Sequence, residues 1–539
     1  MPPRTPKGDH AVNRFLPAAL LIASLLWCVY WLIHAQGYWE DDAWIHLEFA
    51  RSVSQGHGFA FNGRVVAGDT APLWVLLLAG VHALIPQWVT AGKLLTILGA
   101  ALGLSAVYAF ARRMAQHLLA GRAAQLFPAA MLLLVVVNPY TCYWIFSGMA
   151  PLAASGVACW AILMATTKRP TRFSFLLACL LAGLGPLLRP EMFFLALLLA
   201  LPLYGQWRRL AAPPVAKLLC LTVGLALIAG PLLTWSCYSW YAFGQLLPNT
   251  NAAKRAGPNE SVLYRLINVY AAGLPVILCG TVAGLLHLAL HPSAALRSLH
   301  TAIRSALAMP GKKQRPTAID AATSPMLPLE GWLFIFWAMI ASCFYLANHT
   351  YVQTRYVFIS APGLSIVVLA LALYLWPRWG QWMYVAAIAA GAAVSIAITI
   401  PLLRNKAAVC DATRQIATFM MARIPPDAPV AVYPIGQIAF QSHHPLIDTG
   451  GITQPGAIPY LYASSGAMTH WARSEGAQYS IEAMPPVPGS IPVFTTQVPY
   501  VGWTFHTSRY AASFPVSVWK FPAATLPEEL SAKSAATLQ

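Results

Sequence analysis

Three consecutive carboxylates, Glu40, Asp41 and Asp42, stand in the stretch Tyr38-Trp39-Glu40-Asp41-Asp42-Ala43-Trp44, directly after the first apolar run of a chain with only 17 acidic residues in 539. Ionised side chains at a membrane edge are costly and persist mainly where they face a water-filled cavity and serve a site. A carboxylate there can take a proton from an attacking hydroxyl, and a like-charged neighbour raises its pKa toward a useful range. Asp41 and Asp42 are therefore candidates for a general base. Adjacent acids can also do no more than cap the helix that follows them, and the residues alone leave both roles open.

Cations complete the chemistry. Arg189 in Arg189-Pro190-Glu191, Lys254 shortly after Leu247-Pro248-Asn249-Thr250, and Arg355 in Tyr351-Val352-Gln353-Thr354-Arg355-Tyr356 all stand at the ends of apolar runs. Arg and Lys can hold a phosphate and neutralise the charge that develops as its bond breaks. Acids and cations on one leaflet suit transfer of a group from a phosphate-linked donor to a hydroxyl acceptor. Plainer roles exist for each cation: Arg189 can pair with Glu191, Arg355 can anchor at the interface, and Lys254 with Arg255 can be a solvated pair. His443 and His444 are adjacent, so on a strand they point apart and make no metal site. Whether a divalent cation assists at the donor phosphate is left open.

The elements that must position these groups follow from composition. Hydrophobic residues make up 58% of the chain and charged residues 9%, and apolar runs of about 16 to 22 residues recur over the first four hundred positions. This is a polytopic α-helical membrane protein. The net charge of +17 sits in short loops between the runs, where it sets orientation, and nucleic acid is excluded as a partner. Nine cysteines, most of them in or beside apolar runs, give no disulfide framework. The first run passes through Cys28-Val29-Tyr30-Trp31 without a small-residue cleavage site and is expected to stay as an anchor.

Arg4, Lys7 and Arg14 place the N-terminus in the cytoplasm, so a first span at about 15–35 carries the acids outside. Ten more spans are expected at about 91–111, 124–137, 150–166, 173–188, 192–206, 218–236, 268–290, 331–347, 357–376 and 381–402, making about eleven crossings. The run 71–86, bounded by Pro72 and Pro86, would break the alternation of basic loops if it crossed, so it dips into the membrane or lies on its outer surface. Before it, Ile45, Phe49, Ala50 and Val53 recur at helical spacing, with His46, Glu48, Arg51, Ser52 and Gln55 on the other face. That pattern predicts an amphipathic helix lying along the membrane surface. Residues 1–402 form the membrane unit. Residues 403–539, with 8 Lys or Arg against 7 Asp or Glu and no long apolar run, form a soluble mixed α/β domain outside the membrane. A helix is expected there over 411–423, and strands near 430–433, 478–481 and 516–519. No internal repeat is visible, which weighs against a carrier built from duplicated halves.

Asp41-Asp42-Ala43-Trp44-Ile45, then Phe49-Ala50-Arg51, Gly56-His57-Gly58-Phe59-Ala60-Phe61-Asn62-Gly63 and Thr70-Ala71-Pro72-Leu73-Trp74, resemble the first outer loop of GT-C membrane glycosyltransferases. Within that superfamily the stretch is most similar to the mycobacterial terminal arabinofuranosyltransferases. Phe146-Ser147-Gly148-Met149, Leu188-Arg189-Pro190-Glu191, Leu247-Pro248-Asn249-Thr250 with Lys254, Arg355-Tyr356 and Ile447-Asp448-Thr449-Gly450-Gly451 are similar to further family stretches. The resemblance implies an inverting glycosyltransferase that moves a sugar from a polyprenyl-phosphate donor to a hydroxyl acceptor on the outer face of the bacterial cytoplasmic membrane. The acceptor would be a cell-envelope glycan, a lipid or a protein. Asp41 is the first choice for the base, because the better-known patterns place the catalytic Asp at the start of the acid pair, and Asp42 is the alternative. Arg355, Arg189 and Lys254 would bind the donor phosphate, while Glu40, Glu191, His57, Asn249 and Tyr356 would shape the site or meet the acceptor. Two departures stand out: Ala150 replaces the acid of Ser-Gly-Met-Glu, and Pro434-Ile435-Gly436 replaces Asp-Ile-Gly. A lipid or sugar carrier and an inactive envelope scaffold are the alternatives from other classes.

Overall fold

The computed structural model describes residues 9–256, 261–273, 292–307, 327–350, 352–463, 466–499 and 513–522. Helix α1 (Asp9–His34) brings the chain to the acids, and α2 (Asp41–Ser54) begins at them, with Glu40 as its cap residue. A two-residue hairpin, β1 (Ala60–Phe61) and β2 (Arg64–Val65), turns the chain back toward α3 (Pro72–His82). At about 1.5 Å per residue α3 is roughly 16 Å long, half of a hydrocarbon core of about 30 Å. It is too short to cross, as the alternation of charges required.

A bundle follows: α4 (Trp88–Leu118), α5 (Gly121–Val137), α6 (Pro139–Trp144), α7 (Pro151–Ala165), α8 (Arg172–Leu188), α9 (Met192–Arg209) and α10 (Pro214–Phe243). After α11 (Asn249–Arg255), α12 (Val262–Gly273) and α13 (Pro292–Leu307) come α14 (Leu329–Ala347), α15 (Thr354–Phe358), α16 (Ala361–Leu375) and α17 (Pro377–Val394). Helices stand at the expected spans, except that the span at 268–290 lies largely outside the described residues. Among the described residues, five helices are long and apolar enough to cross a membrane. Helix α7, with 15 residues, is shorter than a full crossing but is buried along almost its whole length, so protein rather than lipid surrounds it. Gly103 of α4 and Gly156 of α7 face each other with no room for a Cβ on either, and this lets the two backbones touch. Small residues are what allow helices to pack this closely where no water is available to drive association.

The chain does not break at 402/403. A π-helical turn at Ser395–Thr399 joins α17 to α18 (Ile400–Arg423), so the composition shifts while the helix continues. The helix expected over 411–423 is the far end of this rod. Beyond it lie β3 (Val430–Val432), α19 (Ile435–Ser442), β4 (Leu446–Asp448), a 3-10 turn at Pro455–Tyr460, α20 (Ala467–Ser474), β5 (Tyr479–Glu482), β6 (Ile491–Pro499) and β7 (Ser513–Lys520). The sheet order is β4-β3-β5-β7-β6. Its first three strands are parallel, with Val430 opposite both Leu446 and Tyr479, and its last three are antiparallel. Helix α19 is the crossover between β3 and β4, and α20 the one between β4 and β5.

Two expectations change. Helix α2 is not a surface helix with an open polar face: Ala43 through Ala50 are all buried, and so is Ser52. The polar face is covered by α19, through Arg51 Nη1 donating to the Phe440 carbonyl at 2.9 Å, and the β1–β2 turn meets the segment after α19 through Asn62 Nδ2 donating to the His444 carbonyl at 2.8 Å. His443 and His444 are not on a strand but in the turn after α19, where His443 has φ 58° and His444 is held by the carbonyls of Ser442 and Ile424.

Candidate active site

The start of α2 faces two ways. Toward the C-terminal unit, the Asp41 carboxylate accepts the backbone N–H of Gly436 at 3.2 Å and of Gln437 at 3.1 Å. These are free donors in the first turn of α19, whose cap residue, Pro434, offers no side-chain oxygen. An Asp at 434 could cap its own helix, and here Asp41 does so from the other end of the chain. The fit is close, because a Cβ on Gly436 would run into the Asp41 backbone carbonyl. Gln437 Nε2 donates to the Cys410 carbonyl at 2.8 Å, which ties the same turn to α18. Burial pushes the Asp41 carboxyl up to about 6, against the pull of the Gln437 and Gly436 amides and with the repulsion of Asp42 and Glu40 added.

Toward the membrane unit, Asp42 is ion-paired with Arg355 Nη2. Burial would raise its carboxyl too, but the charges of Arg355 and then Lys254 outweigh that and hold Asp42 below its ordinary value. Arg355 is 4% exposed, and burial, which would lower its pKa, is overcome by Asp42. Tyr356 sits at the centre of the cations: Lys254 Nζ lies 4.9 Å, Arg189 Cζ 5.3 Å and Arg355 Cζ 5.4 Å from its ring centroid. Burial raises the Tyr356 hydroxyl, yet Lys254 and then Arg355 bring it below its usual value. Arg189 does pair with Glu191, at 3.1 Å, and Tyr345 also donates to Glu191. That pairing leaves donors over. Arg189 Nε and Arg355 Nη1 are buried without a hydrogen-bond partner, an expensive condition unless an anion arrives to accept them.

The connecting loops explain the convergence. The Asn249 N–H donates to the Ala67 carbonyl at 2.8 Å, docking the start of α11 on the first loop, and Gln245 Nε2 holds the Asn249 side chain at 2.7 Å. Asn348 Nδ2 reaches Asn251 Oδ1 at 3.1 Å, so the turn after α14 meets α11. Trp337 Nε1 donates to the Glu191 carbonyl at 2.9 Å and fixes the turn that carries Arg189. The Ser147 carbonyl accepts the Glu40 N–H at 3.1 Å, and Trp74 Nε1 donates to the Gly148 carbonyl at 3.0 Å, so the Ser-Gly-Met stretch forms the floor under the acids.

Not every candidate reaches this cluster. Glu40, 1% exposed, is taken up by Tyr38 at 3.0 Å, Tyr143 at 2.5 Å and Lys406 at 3.2 Å, a buried knot that ties the first loop to α18. His57 is exposed in the turn beyond the far end of α2. Asp448 is enclosed by its own turn, accepting the N–H of Gly450 and of Thr453, and serves the sheet. Sequence reasoning passed over Lys406, the Gly436 and Gln437 amides, and a buried contact between His46 Nδ1 and Asp69 Oδ2 at 2.5 Å. Only His46 carried a local signal, standing one helical turn after Asp42. Among the described residues, no group of three or more His, Cys, Asp or Glu has the arrangement of a metal site.

The architecture is a GT-C-type membrane bundle with a C-terminal α/β unit, and its site brings acids and cations together at helix ends. The chain shares its fold with ArnT from Cupriavidus metallidurans. Against ArnT bound to undecaprenyl phosphate the TM-score is 0.53 at 14% identity, covering 95% of this chain and 99% of that one. Against apo ArnT it is 0.52 at 13% identity, covering 94% and 99%. A more distant likeness, with a TM-score of 0.47 at 10% identity, is to the oligosaccharyltransferase AglB from Archaeoglobus fulgidus in complex with an inhibitory peptide and a dolichol-phosphate, covering 87% of this chain and 69% of that one. Residues 403–520 match a family model described as a domain of unknown function, DUF8728. No curated protein matches the chain in sequence.

Proposed function

We propose that this protein is an inverting glycosyltransferase that moves a sugar from a polyprenyl-phosphate donor to a hydroxyl acceptor at the outer face of the bacterial cytoplasmic membrane. The observation that carries the reading is the pair of unpartnered buried donors, Arg355 Nη1 and Arg189 Nε, beside an acid with its charge held on. A buried guanidinium with a free N–H is a site for a phosphate oxygen, and a polyprenyl-phosphate sugar supplies one at membrane depth. The undecaprenyl phosphate bound to the similarly folded ArnT fits the same chemistry. A carrier would set its charges at the bilayer midplane on broken helices, whereas these stand at helix ends under a folded cap.

In this reading the donor phosphate docks on Arg355, Arg189 and Lys254, with Tyr356 among them. Asp42 then loses its partner to the phosphate and is left as a free carboxylate next to the sugar. It takes the proton of the acceptor hydroxyl while the acceptor oxygen bonds to the anomeric carbon. The bond from that carbon to the phosphate oxygen breaks with its electron pair on the phosphate, where the cations neutralise it. Asp41, committed to α19, keeps the acid turn in register and adds negative charge next to the base. The C-terminal α/β unit acts here as a cap that completes the site through α19.

The test is donor turnover by purified full-length protein in nanodiscs, using radiolabelled undecaprenyl-phosphate pentoses and hexoses. Arg355→Ala should lower catalytic efficiency by roughly thirty- to a thousandfold, or about 2–4 kcal/mol. A change below threefold in folded protein would remove Arg355 from the site.

A further inference from the structure

The His46–Asp69 contact is a buried titratable pair that the phosphate site does not use. His46 is 5% and Asp69 7% exposed. Asp69 stands between β2 and α3, and both of its oxygens are engaged: Oδ2 with His46 Nδ1 at 2.5 Å, and Oδ1 accepting the Ala71 N–H at 2.6 Å. A carboxylate on Nδ1 fixes the proton of a neutral imidazole there and leaves Nε2 as an acceptor. Nε2 has no protein partner among the described residues. His46 lies four residues beyond Asp42 on α2, on the same helix face, where side chains four apart are neighbours. Asp69 also lines a small pocket with Phe59, Trp235 and Ser239.

We propose that His46 and Asp69 form a proton relay that clears Asp42 after each transfer. The proposal rests on the reading of Asp42 as the base. Such a base has a difficulty that the phosphate chemistry does not resolve: a carboxylate beside Arg355 and Lys254 is a poor place to keep a proton. The proton that leaves the acceptor hydroxyl passes from Asp42 to His46 Nε2, and the imidazolium is stabilised by the ionised Asp69 on its other nitrogen. It then goes to water, which returns His46 to its neutral form for the next cycle. No other bond changes. Both side chains act through Asp42, touch neither sugar nor phosphate, and are positioning residues.

Asp69→Asn tests this with little change of shape. Because the Ala71 N–H requires an oxygen, the new amide nitrogen must face His46 Nδ1, and this forces the imidazole proton onto Nε2. The relay is then blocked by the wrong tautomer in a folded protein. With undecaprenyl-phosphate sugars as probes, the expected result is a loss of roughly a hundredfold or more in turnover, with donor binding and melting temperature close to wild type. His46→Asn, which keeps an N–H at the Nδ1 position but offers nothing at Nε2, should match it. In His46→Ala, added imidazole should restore at least about tenfold of the lost turnover, as general-base replacement predicts. Turnover within threefold of wild type in both Asp69→Asn and His46→Asn overturns the relay. So does a loss that merely tracks the folded fraction and does not respond to imidazole. If Asp42→Asn still abolishes transfer in those cases, the base assignment stands without the relay. If Asp42→Asn is itself near wild type, both fall together.

Discussion

Replacing each acid of the pair by Asn separates two roles that the structure sets on opposite sides of one helix start. Asn at 42 cannot take a proton, so transfer should fall by roughly two to four orders of magnitude. It also leaves Arg355 buried without its anion. Breaking a buried pair costs about 3–5 kcal/mol, and because the Asp42 side chain is 31% exposed, about 1–3 kcal/mol is the better expectation. In a chain of this size that is a few degrees of melting temperature at most. Donor binding should hold or tighten, since a cation has been released for the phosphate. Asn at 41 keeps one oxygen for the α19 amides and turns an N–H toward the other, which costs about 1–3 kcal/mol of stability. Its turnover should fall by about tenfold or less, because α19 stays roughly in place and the base is intact. The assay is turnover of undecaprenyl-phosphate sugars in nanodiscs, read beside donor binding and thermal unfolding of the same samples. A Asp42→Asn protein that transfers normally, or a Asp41→Asn protein that loses more than Asp42→Asn, would refute the division of labour. Near-normal transfer by the double mutant would end the catalytic reading of the loop.

Three further outcomes follow from the same geometry. Gly436→Ala sets a methyl against the Asp41 carbonyl and should destabilise the protein by about 1–3 kcal/mol, with loss of turnover; a neutral effect in both would show that α19 is not clamped to the acid turn. Asp41 binds its proton more tightly folded than unfolded, so its contribution to stability is full below about pH 4 and is lost as pH rises through about 6. Asp41→Asn should therefore fall less in melting temperature than wild type between pH 4.5 and 6.5, and a steeper fall would reverse the sign of the argument. With the native cysteines removed, Met484→Cys, at a position 73% exposed on the C-terminal unit, should react with an impermeant maleimide added to intact cells. Labelling only after the cytoplasm is opened would invert the orientation.

Periodicity was enough to locate the helices at the expected spans within the described residues, because a bilayer imposes a run of apolar residues that needs no partner to be recognised. The short run at 71–86 was legible for the same reason, and so were the strands near 430, 479 and 516, each a brief apolar alternation between turn residues. The acid pair and the three cations could be picked out as costly charges at span ends. What the chain order could not carry was pairing. Asp41 meets Gly436 and Gln437 across nearly four hundred residues, and nothing in either stretch encodes the other. The polar face of α2 reads as solvated because Arg51 and Glu48 are charged, yet α19 covers it once the C-terminal unit folds back. Glu40 and Lys406 are each ordinary in sequence and form one buried pair only because α18 returns to the first loop. His46 and Asp69 are likewise joined by the hairpin between them. A hydrogen bond or ion pair depends on separations of a few ångströms between side chains, and only the packed tertiary structure sets those separations for residues far apart along the chain.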